Sequence, residues 1–140
     1  MQKETAKIVE ELGLCPDFNT FYDENKAYIA NHTLSEELTR LLNEKGLTKA
    51  RVIRAAEMSE VYGYQIFSGI RQPERNKLLC LAIGMGLNLE EVQQLLKCAG
   101  YPTLYVKLPF DSVVLYGICN RLSVVEINDL LYQYDLETLG

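Results

Sequence analysis

The stretch from Gly46 to Pro73, GLTKARVIRAAEMSEVYGYQIFSGIRQP, constrains the fold more than any other part of the chain. Its spacing predicts two short helices joined by a tight turn and followed by a loop. Leu47, Val52 and Ile53 supply the first apolar set, Met58 and Ser59 the turn, and a second helix runs from Ser59 to about Ser68 before Gly69 and Pro73 stop it. Such a unit serves to present one helix outward.

Helical periodicity extends over almost the whole chain, so the expected class is all-α. Leu34, Leu38, Leu41 and Leu42 form an apolar stripe, with Thr33 or Ser35 as its start signal, Glu36 and Glu37 in the first turn and Gly46 as its stop. After Pro73, the run Leu78, Leu79, Leu81, Ala82 and Met85 predicts another helix. Asn88 caps a further one, with Val92, Leu95 and Leu96 buried and Gly100 and Pro102 closing it. Nearer the N-terminus, Ile8, Val9 and Leu12 mark a helix ended by Gly13 and Pro16, and Phe21, Tyr22, Tyr28 and Ile29 a second, irregular segment. Those aromatics are placed either as a lid over the motif helices or as an arm docked elsewhere.

A shift of thirty-five residues lays LNLEEVQQLLKCAGYPTL on LSVVEINDLLYQYDLETL, matching Leu87 with Leu122, Glu91 with Glu126, Val92 with Ile127, Leu95 with Leu130 and Leu96 with Leu131. Two copies without a tetratricopeptide aromatic and proline pattern are too few for a solenoid, which leaves an appended hairpin. Val113, Val114, Ile118, Val125, Ile127, Leu130 and Leu131 exceed what one hairpin can hide, so some must pack on the body or on a second subunit. The expected organisation is an N-terminal helical extension over 1–32, a central domain over 33–104 and a C-terminal helical hairpin over 105–140 on the same body. That hairpin is also the expected homodimer element.

Several classes of function are disfavoured. Cys15, Cys80, Cys98 and Cys119 lie far apart without a C-x-x-C pair, and His32 is the single histidine, so no metal site is expected. Cys80, Cys98 and Cys119 fall among Leu, Ile and Ala, where a reduced thiol acts as a small hydrophobe. His32 precedes a helix cap and reads as a loop residue. The paired acids Glu36 with Glu37 and Glu90 with Glu91 suit helix dipoles. With no phosphate loop and no nucleophile–histidine set, neither an enzyme nor a cofactor is expected. The first eighteen residues carry acids and no long apolar run, and no eighteen apolar residues are consecutive, so a cytoplasmic protein without a membrane segment is expected.

Charge points to the motif. Seven of the 14 Lys and Arg residues (Lys45, Lys49, Arg51, Arg54, Arg71, Arg75 and Lys77) lie between 45 and 77 against three acids, Glu57, Glu60 and Glu74. That window is +4 and leaves −9 in the remainder of a chain that is −5 overall. Phosphates are the usual reason for such a concentration, although exposed helix faces carry Lys and Arg in any case.

In its spacing the 46–73 stretch resembles the helix-turn-helix of the XRE or lambda-repressor-like family, strongly over about thirty residues and loosely over about sixty-five. Lys49 stands where the family has a phosphate-touching Gln, and IFSGI from Ile66 to Ile70 resembles the recognition-helix exit. Ile53 replaces a usual small residue, and Glu57 the turn glycine, so a wider turn or a strained left-handed residue is expected there. Gly63 replaces an apolar residue, which points to close packing on a neighbouring helix.

The resemblance implies a lambda-repressor-like bundle and a DNA-binding transcriptional regulator, with double-stranded DNA as partner. It places Ser59, Glu60, Val61, Tyr62, Tyr64 and Gln65 toward the groove. Lys49, Arg51, Arg71 and Arg75 are the expected phosphate contacts, with Arg71 nearest the groove edge. Only Gln65 carries an amide suited to adenine, while Glu60 suits a cytosine amino group and Val61 a thymine methyl. The competing expectation is a protein–protein interaction module that keeps the fold and uses the Tyr62/Tyr64 face for a protein partner.

Overall fold

A computed structural model describes residues 5–25 and 33–140. The expectations for Tyr28, Ile29 and His32 fall outside these residues. All regular structure among the described residues is α-helical. Chain contacts divide it into residues 1–32 and 33–140, the expected C-terminal hairpin included in the second unit.

In the first unit, α1 (Thr5–Leu14) precedes α2 (Phe18–Asn25). Asp17 starts α2 by accepting the backbone N–H and the hydroxyl of Thr20, which holds its carboxyl below the usual range. The Phe18 and Phe21 rings pack 6.0 Å apart between centroids.

The second unit contains α3 (Leu34–Lys45), α4 (Lys49–Ala55), α5 (Glu60–Ser68), α6 (Arg75–Gly84), α7 (Leu89–Cys98), α8 (Pro109–Cys119) and α9 (Val124–Gln133). Its helix boundaries follow local chemistry. Thr33, Thr48, Ser59, Asn88 and Ser123 each accept a backbone N–H of the following first turn. Asn88 with Glu91 and Ser123 with Glu126 complete reciprocal capping boxes. Gly46 ends α3 and Gly69 ends α5 in the left-handed conformation.

One turn recurs along the chain: Gly46 (φ 64°), with the Leu47 N–H on the Leu42 carbonyl and Thr48 as the cap, joins α3 to α4 in the same way that three later pairs are joined. The α4–α5, α6–α7 and α8–α9 pairs each pass through a left-handed residue, Glu57 (φ 58°), Gly86 (φ 69°) and Arg121 (φ 54°) respectively. The next residue, Met58, Leu87 or Leu122, donates its N–H back to the carbonyl of Ile53, Ala82 or Gly117. The residue after that caps the second helix. Glu57 therefore takes the left-handed geometry without a glycine, at a cost of about 1–2 kcal/mol.

Two positions are equivalent about this turn in each pair. They are Ile53 and Gly63 in the first, Ala82 and Val92 in the second, Gly117 and Ile127 in the third, all of them buried. A Cβ on Gly63 would stand 2.5–2.8 Å from the Cγ1, Cδ1 and Cγ2 atoms of Ile53. One on Gly117 would collide with Ile127 Cγ1 and Cδ1. A large residue on one helix thus requires a small one opposite, and the first and third pairs have exchanged which helix supplies it. The close approach expected at Gly63 is made to α4.

These helices close over one core containing Leu38, Val52, Ile53, Ile66, Leu78, Leu79, Leu81, Leu95, Leu96, Ile127 and Leu131. The α8–α9 pair packs on α6 and α7, and buries Val114, Ile118, Ile127 and Leu131 in that core. Val113 and Leu130 are half-buried, and Val125 is exposed. Two of the cysteine expectations are corrected: Cys80 is buried, whereas Cys98 and Cys119 are exposed because each lies beside the buried stripe of its helix. No helix among the described residues is long and apolar enough to cross a membrane.

Candidate nucleic-acid interface

The first turn of α4 carries Lys49 and Arg51, both exposed, and no acid. A helix N-terminus carries partial positive charge, so two cations there oppose the dipole and local helix stability does not account for them. Lys49 Nζ lies 6.0 Å from the Phe67 ring centroid, which steadies its stem without neutralising its charge. Arg54 is exposed one turn later.

The α5 helix begins at Ser59, whose hydroxyl accepts the Tyr62 N–H at 3.2 Å. Gly63, Ile66 and Phe67 face the core, leaving the other side outward. Ser59, Glu60, Val61 (70% exposed) and Tyr64 (44% exposed) lie on that side. Tyr62 and Gln65 are half-buried.

Tyr62 packs partly against the core, and Arg71 contacts both Tyr62 and Gln65. Its Nε donates to Gln65 Oε1 at 2.9 Å, and its guanidinium carbon lies 5.2 Å from the Tyr62 ring centroid. The backbone N–H groups of Ile70 and Arg71 both donate to the Gln65 carbonyl. Gly69 makes this return possible: its φ is +85°, and a Cβ there would meet Ser35 Oγ at 3.1 Å. Among the described residues Glu60 pairs with neither Arg71, whose Nε bonds Gln65, nor Arg75, which bonds Asp111.

Arg75 corrects an expectation. Its Nη1 and Nη2 donate to the two carboxylate oxygens of Asp111 at 3.2 and 3.1 Å, Nε donates to the Pro102 carbonyl and Nη2 to that of Thr103. Asp111 is 2% exposed and also accepts the Tyr105 N–H. With these donors turned inward, Arg75 pins the segment between α7 and α8 instead of facing a phosphate. Gln93 assists by bonding both backbone groups of Leu104, and the Tyr101 hydroxyl donates to the Pro73 carbonyl. Lys45 is also engaged, pairing with Glu91 at 3.0 Å. Lys77 lies beside Gly140. Of the basic window, Lys49, Arg51, Arg54 and Arg71 therefore make up the exposed set on the α4–α5 pair.

Two features escape sequence reasoning. Ile70, 80% exposed in the loop beside Arg71, carries no periodicity that would single it out. An apolar groove of roughly 580 Å³ runs along α8 and α9, lined by Pro109, Val113, Tyr116, Leu130, Tyr134 and Leu136 among others. The repeated apolar pattern of the hairpin signals surplus apolar surface but not its shape.

Among the described residues no group of three or more His, Cys, Asp or Glu side chains could hold a metal. Comparisons with protein-family models, with curated proteins and with solved structures found no match.

Proposed function

We propose that the protein is a DNA-binding transcriptional regulator of the XRE or lambda-repressor-like type. In this reading α4 and α5 are its helix-turn-helix, and the outward side of α5 enters the major groove. The observation that carries it is the coincidence of that open helix face with four exposed cations, Lys49, Arg51, Arg54 and Arg71, in a chain of net charge −5. Lys49 and Arg51 hold phosphates, and Val61 meets a thymine methyl. Two copies joined through the α8–α9 groove supply the second half-site. The test is a fluorescence titration of random-sequence duplex at about 50 mM and then about 200 mM salt, where phosphate contacts make binding fall steeply. No binding at the lower salt by folded protein would overturn the reading.

The exposure of Val61, Tyr64 and Ile70 beside the same cations favours a second reading, a protein–protein interaction module. It requires capture of a protein partner that Tyr64→Ser abolishes, together with no affinity for duplex DNA.

A further inference from the structure

An arginine in a surface loop ordinarily samples many rotamers. Arg71 is held at three points: its backbone N–H by the Gln65 carbonyl at 3.2 Å, its Nε by Gln65 Oε1 at 2.9 Å, and its guanidinium over the Tyr62 ring at 5.2 Å. Fixing Nε has a chemical consequence. A guanidinium offers paired acceptors either its side edge, Nε with one Nη, or its end edge, Nη1 with Nη2. Gln65 occupies the side edge. The end edge has no acceptor among the described residues.

We propose that Gln65 and Tyr62 are positioning residues that present the Nη1/Nη2 edge of Arg71 to a pair of acceptors on duplex DNA, spaced as in a carboxylate. The inference rests on the DNA-binding reading and deepens it. Two sources carry this acceptor chemistry: O6 and N7 of a guanine, and two oxygens of one phosphate. Gln65 then acts through Arg71 and not as an adenine reader, because the bond to Arg71 Nε fixes the orientation of its amide. The ordering of Arg71 precedes binding, so less side-chain freedom is lost in the complex.

The structure contains its own contrast. Arg75, four residues on, turns the same Nη1/Nη2 edge onto Asp111, with its Nε on the Pro102 carbonyl. Both arginines have Nε anchored by a carbonyl-type oxygen and the end edge left for a bidentate acceptor. In Arg75 the protein supplies that acceptor.

The experiment is a double-mutant cycle on the full chain, with Gln65→Met, Arg71→Ala and the combined variant titrated against random-sequence duplex at about 50 mM salt. Methionine keeps the side-chain length and removes the amide. Arg71→Ala is expected to weaken binding about tenfold. Gln65→Met is expected to weaken it about threefold to fivefold while Arg71 is present, and to have no further effect once Arg71 is gone. Independent, multiplying effects would overturn the positioning role, as would a Gln65→Met protein that binds like the unmodified chain. Failure of the unmodified protein to bind any duplex would instead overturn the DNA reading itself. A readout free of DNA runs alongside: the Nε–Hε resonance of Arg71 should be sharp in the free protein and broadened by exchange in Gln65→Met, and identical resonances would overturn the clamp. The source of the acceptors is then read with duplexes enriched by selection, made with guanine or with 7-deazaguanine. A guanine contact makes the Arg71→Ala loss shrink on the 7-deaza duplex, which keeps O6 but lacks N7, whereas a phosphate contact leaves the loss unchanged and Arg71→Ala then lowers the salt slope by about 1.

Discussion

Removing Arg75 should cost stability and leave DNA affinity alone, the reverse of what removing Arg71 should do. Arg75→Met retains much of the aliphatic stem and deletes four hydrogen bonds, two of them to the carboxylate of Asp111. Asp111, 2% exposed, would keep only the Tyr105 N–H at 2.8 Å. A buried carboxylate stripped of its cation costs about 3–5 kcal/mol. Against a total stability of about 5–15 kcal/mol the variant stays folded in most of that range, and its urea midpoint falls by about 2 M. Replacing both partners, as Arg75→Met with Asp111→Leu, removes the stranded charge and should recover part of the loss. The assay pairs urea unfolding followed by circular dichroism with the salt-dependent DNA titration. Arg75→Met should keep the affinity and salt slope of the unmodified protein, while Arg71→Ala should unfold within about 0.5 kcal/mol of it and bind duplex about tenfold more weakly. A folded Arg75→Met protein of unchanged midpoint and reduced slope would refute the assignment of Arg75 to the scaffold.

The exchange of large and small residues gives a second test: Gly63→Val forces atoms against Ile53 and should cost about 1–3 kcal/mol, and Ile53→Ala alone about 2–5 kcal/mol. The combined variant copies the Ala82/Val92 pair and should unfold nearer the unmodified protein than Ile53→Ala does; simple addition of the two losses would contradict the packing argument. Thiol labelling at about pH 8 should modify the exposed Cys119 readily. It should modify Cys98 more slowly, because burial and then the charge of Glu37 push that thiol up. Cys80, pushed up to about 11 by burial against an opposing effect of Lys77, should react only on unfolding. Native labelling of Cys80 at the rate of Cys119 would show that α6 is not sealed. At Glu91 burial raises the carboxyl, but the Asn88 N–H, Lys45 and Arg40 together hold it below its ordinary value. A lowered folded value means the stabilisation is complete above about pH 5 and is lost as pH falls through the folded value. The stability difference between the unmodified protein and Glu91→Gln should therefore be flat near neutrality and shrink in acid, and a difference independent of pH would contradict it.

Local features of the fold were legible because they depend on neighbours in sequence. The caps at Thr33, Ser59 and Asn88, the stops at Gly46 and Gly69 and the buried stripe of Leu34, Leu38, Leu41 and Leu42 all follow from residue type and spacing. The α4–α5 copy of the turn was hidden. Its left-handed residue is Glu57 where the others have Gly86 and Arg121, and the α5 helix reaches its closing glycine two residues sooner than α7 does, so residue identity and length both drift while backbone geometry persists. Arg75 was misread for a different reason. Its partner Asp111 is thirty-six residues away, and a basic residue beside a basic cluster gives no local sign of a buried acid waiting for it. Arg71 and Gln65 were both legible as candidates, but the bond between them depends on Gly69 folding the loop back onto α5.

A chain built from one repeated turn needs something other than backbone geometry to decide which copy meets a partner. In the second pair, α7 packs against α3, α6 and α8, and Glu91 on it is bonded to Lys45 across the α3 contact. Its first turn carries Glu90 and Glu91 and no cation, which disfavours phosphate. In the third pair, α9 bears Glu126 and Asp129 and no cation, so its field repels phosphate. The α5 helix combines an open side with the exposed cations Lys49, Arg51 and Arg54 on the helix before it and Arg71 in the loop after it. Under the proposed reading the three pairs have divided one scaffold by surface charge: the first for the anionic ligand, the second for the core, and the third, with its apolar groove, for a second copy of the chain. Reversing the charge of the third pair should then leave DNA binding dependent on α5, since electrostatic steering follows the exposed cations and not the shared turn.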